Sequence, residues 1–233
     1  MKKKFISLKG ESTDIEFVKS QLKFVEWKII KESNSYYLTS DFLTENVENK
    51  DVELKAKQFV DIINGALVII LGAHKRIETT GIVEVSDMGT KSIFVEVNEK
   101  MKAQEINKAI IIRNGEALEE QISVFEELIK LAELYKSVQD VLHFFNEIEI
   151  TWWNLYKIFE IIRDDLGSQK KTYEIVSKAE LSLFTQAAQS RELLGDDARH
   201  ASKKYPSPNK DITIIEAEQT VRKLFEGWIK LKK

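Results

Sequence analysis

Arg199 and His200 stand side by side in Leu193-Leu194-Gly195-Asp196-Asp197-Ala198-Arg199-His200-Ala201, and together they could handle a phosphate. An imidazole near neutrality accepts or donates a proton, and a guanidinium stabilises charge on phosphoryl oxygens. Lys203, Lys204 and Lys210 add positive charge close by. Cations in a first helical turn oppose the helix dipole, and a bound anion there would relieve the cost and use free backbone N–H groups. Arg199, His200, Lys203 and Lys204 are therefore read as a candidate anion-binding patch. Adjacent residues on an ideal helix point about 100° apart, so the Arg–His pair can straddle a group but not converge on one small atom. Arg191, nine positions before His200, falls on the opposite side of a continuous helix, although Gly195 interrupts that continuity.

Glu160 is the carboxylate expected to join this set. It lies in Trp152-Trp153-Asn154-Leu155-Tyr156-Lys157-Ile158-Phe159-Glu160, a helix so apolar that an acid in it needs a partner. Arg163 at i+3 can serve, as can a cation from another helix. A structural alternative uses the same residues. Asp196 caps a helix, and Asp197 and Glu160 pair with Arg199 or His200 inside the bundle, with no ligand involved.

The remaining histidines are read as structural. His74, followed by Lys75 and Arg76, is expected in an exposed turn after a helix, with anion binding as the alternative. His143 is expected at a core edge. No second ligand stands at metal spacing from any of them and cysteine is absent, so no metal and no cofactor is expected.

These residues need a scaffold, and the 233-residue chain has the composition for one or two packed domains: 43% hydrophobic and 31% charged. A net charge of −3 argues against a protein that coats nucleic acid. The positive start Met1-Lys2-Lys3-Lys4 lacks the apolar run of a signal peptide, and Ala66 to Leu71, the longest apolar stretch, is too short to span a bilayer. A soluble cytoplasmic protein without membrane association is expected.

Periodicity then divides the chain into residues 1–114, a small α+β domain with an antiparallel sheet, and residues 115–233, an all-α bundle of four to six helices; the fold class is α+β. In the first, Phe5–Leu8 reads as a strand. Trp27–Ile30 and Tyr36–Thr39 read as a hairpin around Glu32-Ser33-Asn34-Ser35. Asp51 to Leu71 reads as a helix buried at its apolar end and capped by Gly72. Gly81–Val85 and Ser92–Val97 read as a second hairpin, and Ala109–Ile112 as a further strand. In the second domain, a helical region starts at Gly115, either unbroken or bent near Ser137. A helix capped by Thr151 buries Trp152, Trp153, Leu155, Phe159 and Ile162, with Tyr156, Glu160 and Arg163 on its polar stripe. Ser177-Lys178-Ala179-Glu180 and Thr213-Ile214-Ile215-Glu216 read as capping boxes, the latter opening a helix with Ala217, Val221, Leu224 and Trp228 facing inward.

The segment from Trp152 to Asp165, then Leu194 to Ala201, a proline loop, Glu216-Ala217 and Trp228, resembles the helical domain of the HEPN-like group of bacterial proteins. The resemblance covers roughly the last hundred residues. It implies a helical, usually dimeric domain, in a group many of whose members are metal-independent ribonucleases of phage-defence and toxin–antitoxin systems. It would make His200 the general acid/base, Arg199 the phosphate-stabilising group and Glu160 the acid on an earlier helix. In that group a gap separates arginine from histidine, whereas here they adjoin. The expectation is accordingly a non-catalytic interaction or sensor module, binding a protein partner or an anionic ligand. The alternative is a HEPN-like ribonuclease with Arg199, His200 and Glu160 catalytic. A homodimer through the helical domain and RNA as a partner are both compatible with the resemblance.

Overall fold

A computed structural model describes residues 3–23, 26–44, 46–72, 74–85, 91–94, 115–147, 149–195, 198 and 207–232. The α+β class is as expected. The chain forms two compact units, Met1–Lys130 and Leu131–Lys233.

The first unit runs β1 (Lys3–Lys9), α1 (Ser12–Gln21), β2 (Trp27–Glu32), β3 (Ser35–Ser40), α2 (Asn49–Leu71), β4 (Glu78–Val85) and β5 (Lys91–Phe94). The sheet order is β2-β3-β1-β4-β5, with every neighbouring pair antiparallel. A β-α-β-β-α-β chain with β1 and β3 adjacent at the centre is the split, ferredoxin-like connectivity, here extended by β5. Both hairpins form where expected, the first turning through Ser33, which adopts a left-handed φ of 53°. Residues 95–97 and the strand expected at 109–112 lie outside the described residues.

Alternation along the strands defines one core face. Ile6, Leu8, Leu38, Trp27, Ile29 and Ile82 are buried on it. The two helices pack there, with Trp27 stacked on Phe59 of α2 (centroids 5.2 Å apart) and Tyr36 donating to Glu16 of α1 at 2.9 Å. Lys4 is also buried on this face. Its Nζ donates to the Val47 carbonyl and, at 2.7 Å, to Asn49 Oδ1, and lies 3.7 Å from Glu84, so an N-terminal charge ties β1 to the start of α2 and to β4. The end of α2 corrects an expectation. Burial is deepest over residues 62–67, whereas the last turn emerges and Leu71 is exposed, with Gly72 (φ 74°) ending the helix.

The region from Gly115 is two helices: α3 (Gly115–Leu134), which carries the boundary between the units, and α4 (Lys136–Phe145). The break is Tyr135, whose φ −124° and ψ 113° are extended. The second unit adds α5 (Trp152–Leu166), α6 (Gln169–Ile175), α7 (Lys178–Gln189), α8 (Arg191–Leu194) and α9 (Ile214–Lys230). Local chemistry starts α5, α7 and α9 as expected. Thr151 accepts from the Asn154 N–H at 3.2 Å, Ser177 caps α7, and Thr213 with Glu216 forms a complete capping box. The core gathers Phe145, Leu155, Phe159, Phe184, Val221, Leu224 and Trp228, with Phe145 edge-on to Phe225. Two positions on α5 differ from expectation: Trp153 is exposed and Tyr156 is buried, because the apolar stripe of this helix is rotated toward Tyr156. His143 is exposed beside Phe144, not at a core edge.

Candidate functional site

Arg199, His200, Lys203 and Lys204 lie outside the described residues. What the structure describes is the support on either side of them. The helix of α7 stops at Ser190, which is fully buried and begins α8 by accepting from the Leu193 N–H at 3.3 Å. Gly195, at φ 60°, ends α8. On the far side, Ser207 lies 3.1 Å from Ser190 (Oγ to Oγ) and donates to Glu192 at 3.1 Å. Residues 190–192 and 207 therefore meet in a polar stem, and the chain between them starts and finishes at one place on the helical unit. Gln189 joins the stem to α5 by donating to the Tyr156 hydroxyl at 3.0 Å.

Glu160 is one turn beyond Tyr156 on the same side of α5. Its carboxylate lies 3.1 Å from Lys157 Nζ and 3.9 Å from Arg163, both on its own helix. The pairing with Arg163 at i+3 is the local one expected, and Lys157 adds a second cation.

A stronger charged cluster, unforeseen from sequence, stands at the other end of α5. Asp165 accepts from Ser137 Oγ at 2.7 Å, Trp228 Nε1 at 2.8 Å and Lys232 Nζ, whose closer oxygen is 2.9 Å away. The ammonium of Lys232 also sits over the rings of Tyr135 (4.2 Å) and Trp228 (5.0 Å). Burial raises the Asp165 pKa, but the hydrogen bonds from Ser137, Lys232 and Trp228 outweigh it and hold the carboxyl below its ordinary value. A signal for this was present. An acid in the last turn of a helix opposes the dipole and needs donors. The cluster joins the start of α4, the end of α5 and the end of α9, which is the work of a clamp.

The sheet unit holds a second buried polar group. Asn64, fully buried in α2, donates Nδ2–H to the Ile77 carbonyl at 2.8 Å and accepts from the Ile77 N–H at 2.9 Å. This double bond fixes the amide orientation, so His74 Nε2, 3.3 Å from Asn64 Oδ1, must be the donor. A neutral His74 then carries its lone pair on Nδ1, which is buried without a hydrogen-bond partner. The expected exposed turn is corrected for this residue: His74 is half-buried. Lys75 and Arg76 meet Glu11 and Asp61, each at 3.0 Å, so carboxylates already face the cations that were candidates for an anion.

Burial pushes the His74 pKa down from 6.5, with the Asp14 charge and the Gly72 carbonyl opposing in part. A lowered folded pKa means that the unfolded chain binds the proton more readily. This contribution to stability is complete above the unfolded value and is lost as pH falls from 6.5 through the folded one. The melting temperature of the sheet unit should fall across that window, and a His74→Gln chain should lack this part of the fall.

Among the described residues, no group of three or more His, Cys, Asp or Glu is placed to hold a metal ion, and no helix is long and apolar enough to cross a membrane. No protein-family model matches the chain, and no curated protein or solved structure is detectably similar to it.

Proposed function

We propose that the chain is a non-catalytic interaction or sensor module of a bacterial defence or toxin–antitoxin type system, acting in the cytoplasm. The helical unit presents the segment with Arg199, His200, Lys203 and Lys204 to a protein partner or an anionic ligand. The observation that carries this reading is the spacing in the sequence: Arg199 directly precedes His200, with none of the gap that separates arginine from histidine in the group the segment resembles.

The ligand arm is tested by calorimetric titration with inorganic pyrophosphate. Binding is expected in the native chain and should weaken about tenfold or more in Arg199→Ala and in Lys203→Ala/Lys204→Ala, since charge-assisted contacts of this kind each contribute roughly 1.5–3 kcal/mol. Absence of binding by the native chain, or affinity unchanged in both variants, would remove the anionic ligand from the proposal.

A further inference from the structure

The sheet has a second face, opposite α1 and α2. Phe5 and Ser7 of β1 and Tyr37 and Thr39 of β3 alternate with the buried core residues and therefore point to it. All four are half-buried. Phe5 and Tyr37 sit on the two central strands, with ring centroids 6.5 Å apart and planes at 71°. Ser7 is paired with Tyr37 on one side and with Gly81 on the other, so the position beside the rings carries no side chain. Lys28 of β2 is level with Thr39, and Lys3 of β1 lies one pleat before Phe5; both are exposed.

Charge on this face is uneven. Glu32, and Glu78 opposite Lys9, stand toward the far end of the strands, whereas Lys3 and Lys28 flank Phe5. Asp41, 3.8 Å from Lys28, is 95% exposed and is a counter-ion that another anion can displace. Two aromatic rings on adjacent central strands, hydroxyls between them and lysines at one end match the faces, edges and phosphates of unpaired nucleotides. Aliphatic side chains of this face include Val83 and Val85 of β4, opposite Phe5 and Lys3, the first buried and the second half-buried, and Ile30 of β2, which is exposed.

We propose that this face of the sheet binds single-stranded nucleic acid, with Phe5 and Tyr37 stacking on bases and Lys3 and Lys28 meeting backbone phosphates. The inference goes beyond the function proposed above and stands independently of it, because it uses no residue of the 199–204 segment.

The test is fluorescence anisotropy of a labelled oligouridine of about twelve nucleotides, titrated with the full chain at low salt. The native chain should bind it. Tyr37→Ala and Phe5→Leu should each weaken binding about tenfold, as loss of a stacked ring does. Tyr37→Phe keeps the ring and should keep the affinity, which separates stacking from a folding defect. Lys28→Glu should weaken binding and flatten its salt dependence. Arg199→Ala should leave the affinity unchanged. No binding by the native chain would overturn the proposal, as would binding indifferent to Tyr37→Ala, or binding abolished by Arg199→Ala.

Discussion

Replacing Asn64 by leucine is expected to destabilise the sheet unit by about 3 kcal/mol. The side chains share a branched four-atom shape and leucine is the bulkier, so the loss comes from polar groups and some overpacking and not from a cavity. Both main-chain groups of Ile77 lose their partner at a position only 1% exposed, where water cannot easily substitute. An unpaired buried group costs roughly 1–3 kcal/mol, and greater apolar burial by leucine offsets only part of the sum. Amides of α2 and β4 should show correspondingly faster hydrogen exchange. Asn64→Asp makes the complementary case. A carboxylate can still accept from the Ile77 N–H and from His74, but it cannot donate to the Ile77 carbonyl, and its charge should raise the His74 pKa that burial now lowers. A leucine variant within about 0.5 kcal/mol of the native chain would show that this amide does not hold the α2–β4 connection.

Asp165→Ala should destabilise the helical unit by about 2–3 kcal/mol. The substitution leaves the Trp228 Nε1–H without its acceptor, in a side chain 1% exposed, and deprives Lys232 of its counter-charge. Loss of a fully buried ion pair costs more, about 3–5 kcal/mol, but the Asp165 side chain is a quarter exposed, in a residue that is exposed as a whole, and solvent screens part of the loss. The carboxyl is held below its ordinary 3.8, so its contribution is complete above that value and disappears as pH falls through the folded one. Urea denaturation at about pH 7 should separate the two proteins, and the gap between them should narrow as pH falls below 3.8. Equal stability at neutral pH would mean that Ser137, Trp228 and Lys232 hold the helix ends without the carboxylate.

The legible parts of this fold were those written locally. The Glu32-Ser33-Asn34-Ser35 turn, the spacing in α2, and the caps at Thr151 and Thr213 all act within a few residues. Helix α1 was not legible because its buried set is Asp14, Ile15, Val18 and Gln21, half of it polar, which blurs the apolar period. The seven-residue α6 is mostly polar and gives no stripe at all. Strand order was not legible either, since placing β3 between β1 and β2 depends on contacts across the whole unit. The same distinction applies to the sites. Glu160 and Arg163 are one turn apart and their pairing could be read directly. Asp165 and Lys232 are separated by 67 positions, and Asn64 serves a backbone segment beyond the end of its own helix. Tyr156 was placed on a polar stripe by its hydroxyl, whereas burial of the ring decides its position and Gln189 satisfies the hydroxyl.

The central claim, that the helical unit binds without catalysing, is tested most directly by incubating the purified chain with labelled RNA in the presence of a chelator, beside His200→Ala and Arg199→Ala. A metal-independent ribonuclease would use the imidazole for proton transfer, a contribution of roughly 10²–10⁴ in rate. The account predicts no cleavage above the buffer control in any of the three proteins. Cleavage by the native chain that disappears in His200→Ala, with the variant still folded, would contradict it.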